Sequence, residues 1–290
     1  MKHNSRIIPL LVIALCATVA APALAQDATI PPGSEPAPGT TSSITIGAAA
    51  VYLPDYEGSD DYRLVPGPAA VGSIGGFSFA LVGTRLSIDL VPNTPGPNWD
   101  IQAGPIGVLN LSRTSAKGIE DVRVRTLNEL NTGIEVGAFV GVGKTGVITS
   151  EYDRLSVSIS YRKDVGRASK GGVLQPGINY LTPVSRKAAV GLFASGEIIS
   201  DRYARYYYSV SSMESVASGL PVYTAGGGAK SFTLGGLGSY SLTGDILQGV
   251  KLVAGGTYKR LCGDVSESPI VSIAGDREQW LGAIGLAYTF

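Results

Sequence analysis

Trp280-Leu281-Gly282-Ala283-Ile284-Gly285-Leu286-Ala287-Tyr288-Thr289-Phe290: read with a period of two, this stretch separates into unlike faces. Trp280, Gly282, Ile284, Leu286, Tyr288 and Phe290 share one, while Leu281, Ala283, Gly285, Ala287 and Thr289 share the other. The period is that of a β-strand. Aromatic residues stand at both ends of the apolar row, where a strand crossing a bilayer meets its two polar interfaces. An edge strand of a soluble sandwich is the alternative, and it gives no reason for aromatics at both ends.

Working back along the chain, the design repeats. Leu155, Val157, Ile159 and Tyr161 alternate with Arg154, Ser156, Ser158, Ser160 and Arg162, so one face is expected to meet lipid and the other a wet interior. Val250, Leu252, Ala254 and Tyr258 oppose Lys251, Thr257 and Lys259; Phe232, Leu234, Tyr240 and Leu242 oppose Thr233, Ser239 and Ser241; Ile134, Val136, Ala138 and Val140 oppose Glu135 and Gly137. Strands are expected at 44–53, 63–74, 77–82, 86–91, 99–111, 132–143, 154–162, 172–184, 187–200, 230–242, 250–260 and 278–290. That is about twelve, an even number, as bacterial single-chain barrels require. The break near Gly83 is the least marked, since 77–91 also reads as one long strand. With both termini periplasmic, the long connections 112–131, 201–229 and 261–277 fall outside and the short ones at Gly75-Gly76, Pro183–Arg186 and Thr243–Gly249 fall inside.

Composition agrees. The mean hydropathy is +0.20 and 44% of residues are hydrophobic, yet after the first residues no stretch approaches the ~18 consecutive apolar residues of a membrane helix. Hydrophobicity without helical spans points to strands. The 39 glycines suit strands that must bend, and the 14 tyrosines suit the lipid–water boundary. An all-β, antiparallel transmembrane barrel is therefore the expected fold.

The start of the chain fits export. Lys2 and Arg6 precede an apolar run from Ile7 to Ala21, and Ala23-Leu24-Ala25 then stands before Gln26, the layout of a secretory signal peptide cleaved between Ala25 and Gln26. An uncleaved anchor is the alternative, but the run is short for a span of ~20 residues. Cys16 follows Leu15, where a lipobox wants a small residue, so lipidation is the weaker reading. The expected division is signal peptide 1–25, a flexible periplasmic arm 26–42 rich in proline, and a barrel over 43–290.

Cleavage removes Lys2 and Arg6 from the 23 basic residues, leaving 21 against 23 acidic ones, a formal charge of −2. That speaks against nucleic acid as a partner. His3, the single histidine, departs as well, so the mature chain has no Ser-His-Asp triad, no Cys-His pair and no histidine metal site. Cys262 is then the single cysteine, which excludes an intrachain disulfide. No enzyme and no cofactor are expected.

Three passages carry a resemblance. After the first strand stand Pro54-Asp55-Tyr56-Glu57-Gly58-Ser59-Asp60-Asp61-Tyr62; later come Asp201-Arg202-Tyr203 through Tyr207-Tyr208-Ser209-Val210 with Ser218-Gly219-Leu220-Pro221-Val222-Tyr223; and Gly263-Asp264-Val265-Ser266-Glu267-Ser268-Pro269 precedes the last strand. In this order they resemble the MipA/OmpV family of outer-membrane proteins. Tyr208 and Ser209 stand where Phe and Gly are usual in it, and Val265 and Ser266 replace two alanines. The closing strand, with Trp280, Tyr288 and the terminal Phe290, resembles the signal read by the barrel assembly machinery. The resemblance implies an outer-membrane location among lipid and a scaffold that brings a murein lytic transglycosylase together with a peptidoglycan synthase. Other members are described as antigens, adhesion factors or stress-responsive proteins. A small diffusion channel and a surface adhesin are the rival functions.

Candidate sites outside the resemblance are few. Asp55, Glu57, Asp60 and Asp61 offer carboxylates for a divalent cation but lack the spacing of a calcium loop; a solvated outer loop is expected, with Tyr56 and Tyr62 against the barrel rim. Tyr203, Tyr206, Tyr207 and Tyr208 with Arg202 and Arg205 suit either a recognition surface or a loop folded over the pore. Asp264 and Glu267 read as turn formers. Arg154, Arg162, Lys251, Lys259, Glu135 and Glu197 either line a channel or pair across a filled interior.

Overall fold

Alternation becomes architecture in a computed structural model that describes residues 42–92 and 99–290. The proposed signal peptide, its cleavage point at Ala25 and Gln26, and the arm through residue 41 lie outside the described residues. Twelve strands occur among the described ones: β1 (Ser42–Pro54), β2 (Tyr62–Ile74), β3 (Phe77–Val82), β4 (Arg85–Asp89), β5 (Trp99–Asn110), β6 (Gly133–Thr145), β7 (Arg154–Asp164), β8 (Gly172–Pro183), β9 (Ala188–Ile199), β10 (Gly228–Ser241), β11 (Gly249–Leu261) and β12 (Glu278–Thr289). Each pairs antiparallel with its neighbours in sequence, and β12 closes on β1 from Thr45↔Thr289 to Tyr52↔Gly282. The Thr45 and Thr289 hydroxyls meet at 2.7 Å at this seam. Closure leaves no sheet edge around most of the wall, which hydrocarbon demands because it offers no hydrogen bonds. The break at Gly83 holds, and it separates two short strands.

Faces follow the pattern. In β7, Arg154, Ser156, Ser158, Ser160, Arg162 and Asp164 are buried inside while Val157, Ile159, Tyr161 and Lys163 are exposed outside. Aromatics mark two levels. Tyr52 stacks on Tyr62 with centroids 5.1 Å apart and Tyr258 lies 4.9 Å from Trp280 at one end; Tyr288 lies 4.7 Å from Phe290 at the other.

The two ends differ. At one, connections are tight: Gly75 and Gly76, both at positive φ (62° and 90°), make a two-residue turn that side chains would strain. At the other, three connections are long and helical, with α1 (Val122–Arg125), α2 (Asp201–Tyr208), α3 (Ser212–Ser218), α4 (Gly263–Glu267) and α5 (Pro269–Ser272). On the rule of short periplasmic turns and long outer loops, the helical end faces outward.

The periplasmic turn 146–153 is built on one carboxylate. Asp153 accepts from the backbone N–H groups of Val147 (2.6 Å), Ile148 (2.8 Å) and Thr149 (2.6 Å), and from the Tyr180 hydroxyl (2.9 Å). Desolvation opposes its charge, but these donors outweigh it and hold the carboxyl well below the usual carboxylate range. Asp153→Ala is expected to cost roughly 1.5–3 kcal/mol, the worth of hydrogen bonds to a charged group, read as a shift in the urea midpoint of unfolding at unchanged slope.

One expectation about the interior is corrected. A wet lumen describes the β6–β9 wall, but β11, β12, β1 and β2 turn small apolar residues inward, among them Val253, Ala283, Ala49 and Val71. Over their middle residues those strands are apolar on both faces, while Lys251 and Lys259 of β11 still point inward toward the two ends.

Candidate functional site

The polar wall ends in a plug. Arg162 of β7 is fully buried; its Nε donates to Glu135 of β6 at 2.6 Å and its Nη2 to Glu197 of β9 at 2.7 Å. Lys230 of β10, also fully buried, lies 2.9 Å from both Glu197 and Glu57. Lys259 of β11 reaches Glu57 at 2.9 Å, and the Tyr208 hydroxyl donates to Glu57 at 2.6 Å. Gln175 of β8 accepts from Arg162 (3.0 Å) and from Arg85 (2.8 Å). Arg162, Lys230 and Lys259 thus face three carboxylates, and buried Arg85 joins them through Gln175. Burying six ions costs several kcal/mol each unless every one is paired, and the pairing here offsets that cost. Of the lumenal charges read from the sequence, Arg162, Lys259, Glu135 and Glu197 therefore pair across the interior and Arg154 pairs with Asp100, whereas Lys251 lines open space below them.

Glu57 overturns the solvated-loop reading of the acidic segment. It folds back from the β1–β2 loop into the lumen, where two lysines wait. Asp55 is also buried and accepts from the Glu120 N–H at 2.8 Å, while Asp60 stays exposed. The carboxylates therefore diverge rather than converge on a cation, and among the described residues no three His, Cys, Asp or Glu form a metal-holding group. Desolvation pushes the Glu57 carboxyl up, but Lys230 and Lys259 pull it down further, to about 2. A depressed carboxylate lends stability above its ordinary value of 4.5 and loses it as pH falls through the folded one. Thermal unfolding is thus expected to move to lower temperature between pH 4.5 and about 2. Glu57→Gln should flatten that pH dependence and lower stability at neutral pH.

Above the plug, the outer connections pack into a cap. Tyr56, fully buried, donates from its hydroxyl to the carbonyls of Ile270 (3.1 Å) and Ala274 (2.5 Å), tying the first outer loop to the last. Gly58 sits at φ +106° and donates to Gln279 Oε1 at 3.0 Å; Ser59 is buried beside it. Pro54 ends β1 at the cap's base. Tyr62 leaves the cap, standing on the lipid face, where its hydroxyl accepts from the Trp280 N–H at 3.1 Å.

The other two motif passages join the same cap. Tyr207 packs 4.6 Å from Tyr203, and its carbonyl accepts from Arg113 at 2.7 Å. Tyr203, Tyr207 and Tyr208 are buried, so this segment folds over the pore and leaves Arg202 and Arg205 exposed. Ser218 donates to the Glu214 carbonyl at 2.6 Å, Gly219 ends α3 in the left-handed region, and Leu220 is buried next to exposed Pro221. Tyr223 donates to the Asp264 carbonyl at 2.9 Å, and the Asp264 carboxylate accepts from the Gly226 N–H at 2.9 Å. Gly263 opens α4 at φ +54°. Ser268 caps α5, donates to the Tyr208 carbonyl at 2.6 Å, and precedes Pro269 at the first helical position. Three sequence-distant passages thus build one lid.

A closed twelve-strand barrel with this cap can be set against known proteins. The family described as MltA-interacting protein MipA matches residues 46–290, nearly all of the described chain. The chain belongs to the MipA family. Membership of that family and the closed barrel place it in the outer membrane. Among curated proteins none matches. Among solved structures the chain is similar to outer-membrane expressed OmpT of Vibrio cholerae, at 8% identity and TM-score 0.36, covering 87% of this chain and 99% of that one. It is similar also to the COG4313 outer membrane channel from Pseudomonas putida F1, at 12% and 0.40, covering 90% and 100%. A Pseudomonas aeruginosa FadL homologue stands at 9% and 0.30, covering 85% and 89%. Likeness this loose carries no argument about what this MipA-family chain does.

Proposed function

We propose that the barrel is an outer-membrane anchor that does no chemistry itself and gathers peptidoglycan-remodelling enzymes, a murein lytic transglycosylase and a peptidoglycan synthase, at its periplasmic side. The observation that carries this reading is the ion cluster beneath the cap, because paired charges set across the lumen obstruct free diffusion. The name of the family, an MltA-interacting protein, supports the class of partner. Most residues of the family motifs are occupied in holding the cap, which leaves the periplasmic turns, and the arm 26–42, as the contact surface. Trp280, Tyr288 and Phe290 serve assembly and lipid contact.

A surface-binding role is the second reading, favoured by Met213 and Val216, apolar side chains 84% and 89% exposed on α3 at the outer end. Photo-reactive residues in intact envelopes separate the two. Placed at Val184 and Ile148 in the periplasmic turns, they should capture a lytic transglycosylase, while those at Met213 and Val216 should not. Capture from the α3 positions alone would favour the adhesin.

A further inference from the structure

The lumen below the plug is a second compartment. A cavity of about 1040 Å³ runs from the periplasmic turns, at Arg186 and Ile246, up to Leu53 and Thr257. That is at the upper end of the roughly 300–1,000 Å³ of small-molecule pockets. On one side its wall is the small apolar row of β11, β12, β1 and β2, which gives water little to bond to and suits hydrocarbon, while Arg85 and Ser87 of β4 face it from another.

The mouth is differently made. Arg186 and Lys251 line it, with Asp245 as the carboxylate among its lining residues there. Lys251 donates to the Ile246 carbonyl. Among the described residues Arg186 forms no ion pair, and it is exposed on its turn. Cations thus exceed anions where the cavity meets the periplasm.

The barrel wall is also notched at the far end of this cavity. β2 pairs with β3 only from Ala69 to Ile74, and the β3–β4 hairpin turns back at Gly83, whose N–H bonds the Pro68 carbonyl at 2.9 Å. Above that point, among the described residues, 62–67 of β2 have no ladder partner on the side away from β1. Pro66 points its backbone the same way as Pro68, two residues along, and has no N–H to leave unpaired in hydrocarbon. Pro66 and Pro68 are exposed on the lipid face and yet line the cavity, so the cavity reaches the lipid surface through this gap.

We propose that the lower lumen binds a single-chain anionic amphiphile, a fatty acid or a lysophospholipid. Its head lies beside Arg186 and Lys251, and its chain runs up the apolar wall toward the notch. Binding is independent of enzyme recruitment.

The test uses the barrel in lipid nanodiscs with palmitic acid carrying a photo-reactive group at its methyl end, and maps the labelled residues. Label is expected on inward residues of β1, β2 and β12 near Val65–Pro68, saturably. Ala49→Phe and Ala283→Phe fill the cavity and should each cut that label by at least about fivefold, with folding checked by the heat-modifiable band on gels. Arg186→Glu, on an exposed turn, keeps the head-group claim testable should the filled variants fail to fold; it should weaken labelling by roughly fivefold, about 1 kcal/mol. Unlabelled palmitate should compete better than hexadecanol, and comparison with a lysophosphatidylglycerol competitor tells which source is held. Label confined to outward residues such as Ala50 and Ile284, or unchanged in the filled variants, would overturn the site. Equal competition by hexadecanol, or unweakened binding by Arg186→Glu, would overturn the anionic head.

Discussion

Glu197→Leu is expected to destabilise the folded barrel by roughly 3–5 kcal/mol, the cost of breaking a buried ion pair from one side. Glu197 is 1% exposed and serves three cations, Arg162 at 2.7 Å, Lys230 at 2.9 Å and, more distantly, Lys259 at 3.9 Å. Its loss leaves Arg162, Lys230 and Lys259 facing two carboxylates in a buried site. Reversible urea unfolding in lipid vesicles, followed through Trp99 and Trp280, measures the change. A loss below about 1 kcal/mol would mean that water reaches the cluster and screens it. Adding Lys230→Met to Glu197→Leu should restore much of the stability, because uncharged replacements for a buried pair are often neutral. That recovery separates an electrostatic plug from a merely crowded one.

Ile159→Arg is expected to cost roughly 2–4 kcal/mol, the value for a cation facing lipid at the bilayer midplane. Ile159 is the sixth of the eleven residues of β7, points outward, and pairs with Val140 and Pro176 on the flanking strands. It is 43% exposed, so in a water-soluble sheet the same change would be close to neutral. Lys163 lies on that outward face at the strand's outer end, where a charge reaches the interface, and Lys163→Arg should leave stability unchanged. The pair of variants therefore reads the depth of the strand in lipid as well as its facing.

Much of the barrel was legible because β6, β7 and β12 keep unlike faces. The Arg154-to-Arg162 row could not face hydrocarbon, so its direction followed from charge alone. On β1 the outward Ile46 and Ala48 alternate with Gly47 and Ala49, and with both rows apolar nothing in the pattern announced a dry inner wall. Glu135, Arg162, Glu197 and Lys259 were readable as inward, but their partners were not; Lys230, in phase with the outward Phe232 and Leu234, is turned in by the irregularity between Ala229 and Ser231. Glu57 was misread because an acidic Gly-Ser loop normally stays in water. Its burial depends on Lys230 and Lys259, which lie about two hundred residues away.

Folding of the 203–208 segment over the pore was one of two readings left open, but the helices of the cap were missed for another reason. Its helices are at most eight residues long, too short for an apolar period to show. Their ends did leave signals. Ser211 and Glu214 form a capping box, and Ser268 precedes Pro269 at a helix start. Read as helix starts, these would have turned two outer loops into packed structure.

Planar-bilayer recording of the purified barrel tests the closed lumen most directly. The account predicts no steady open state for the native chain at neutral pH, because six paired ions and the cap above them obstruct the path. A stable, ohmic conductance from the unaltered protein would contradict it, and the anchoring role built on an obstructed barrel would give way to a channel.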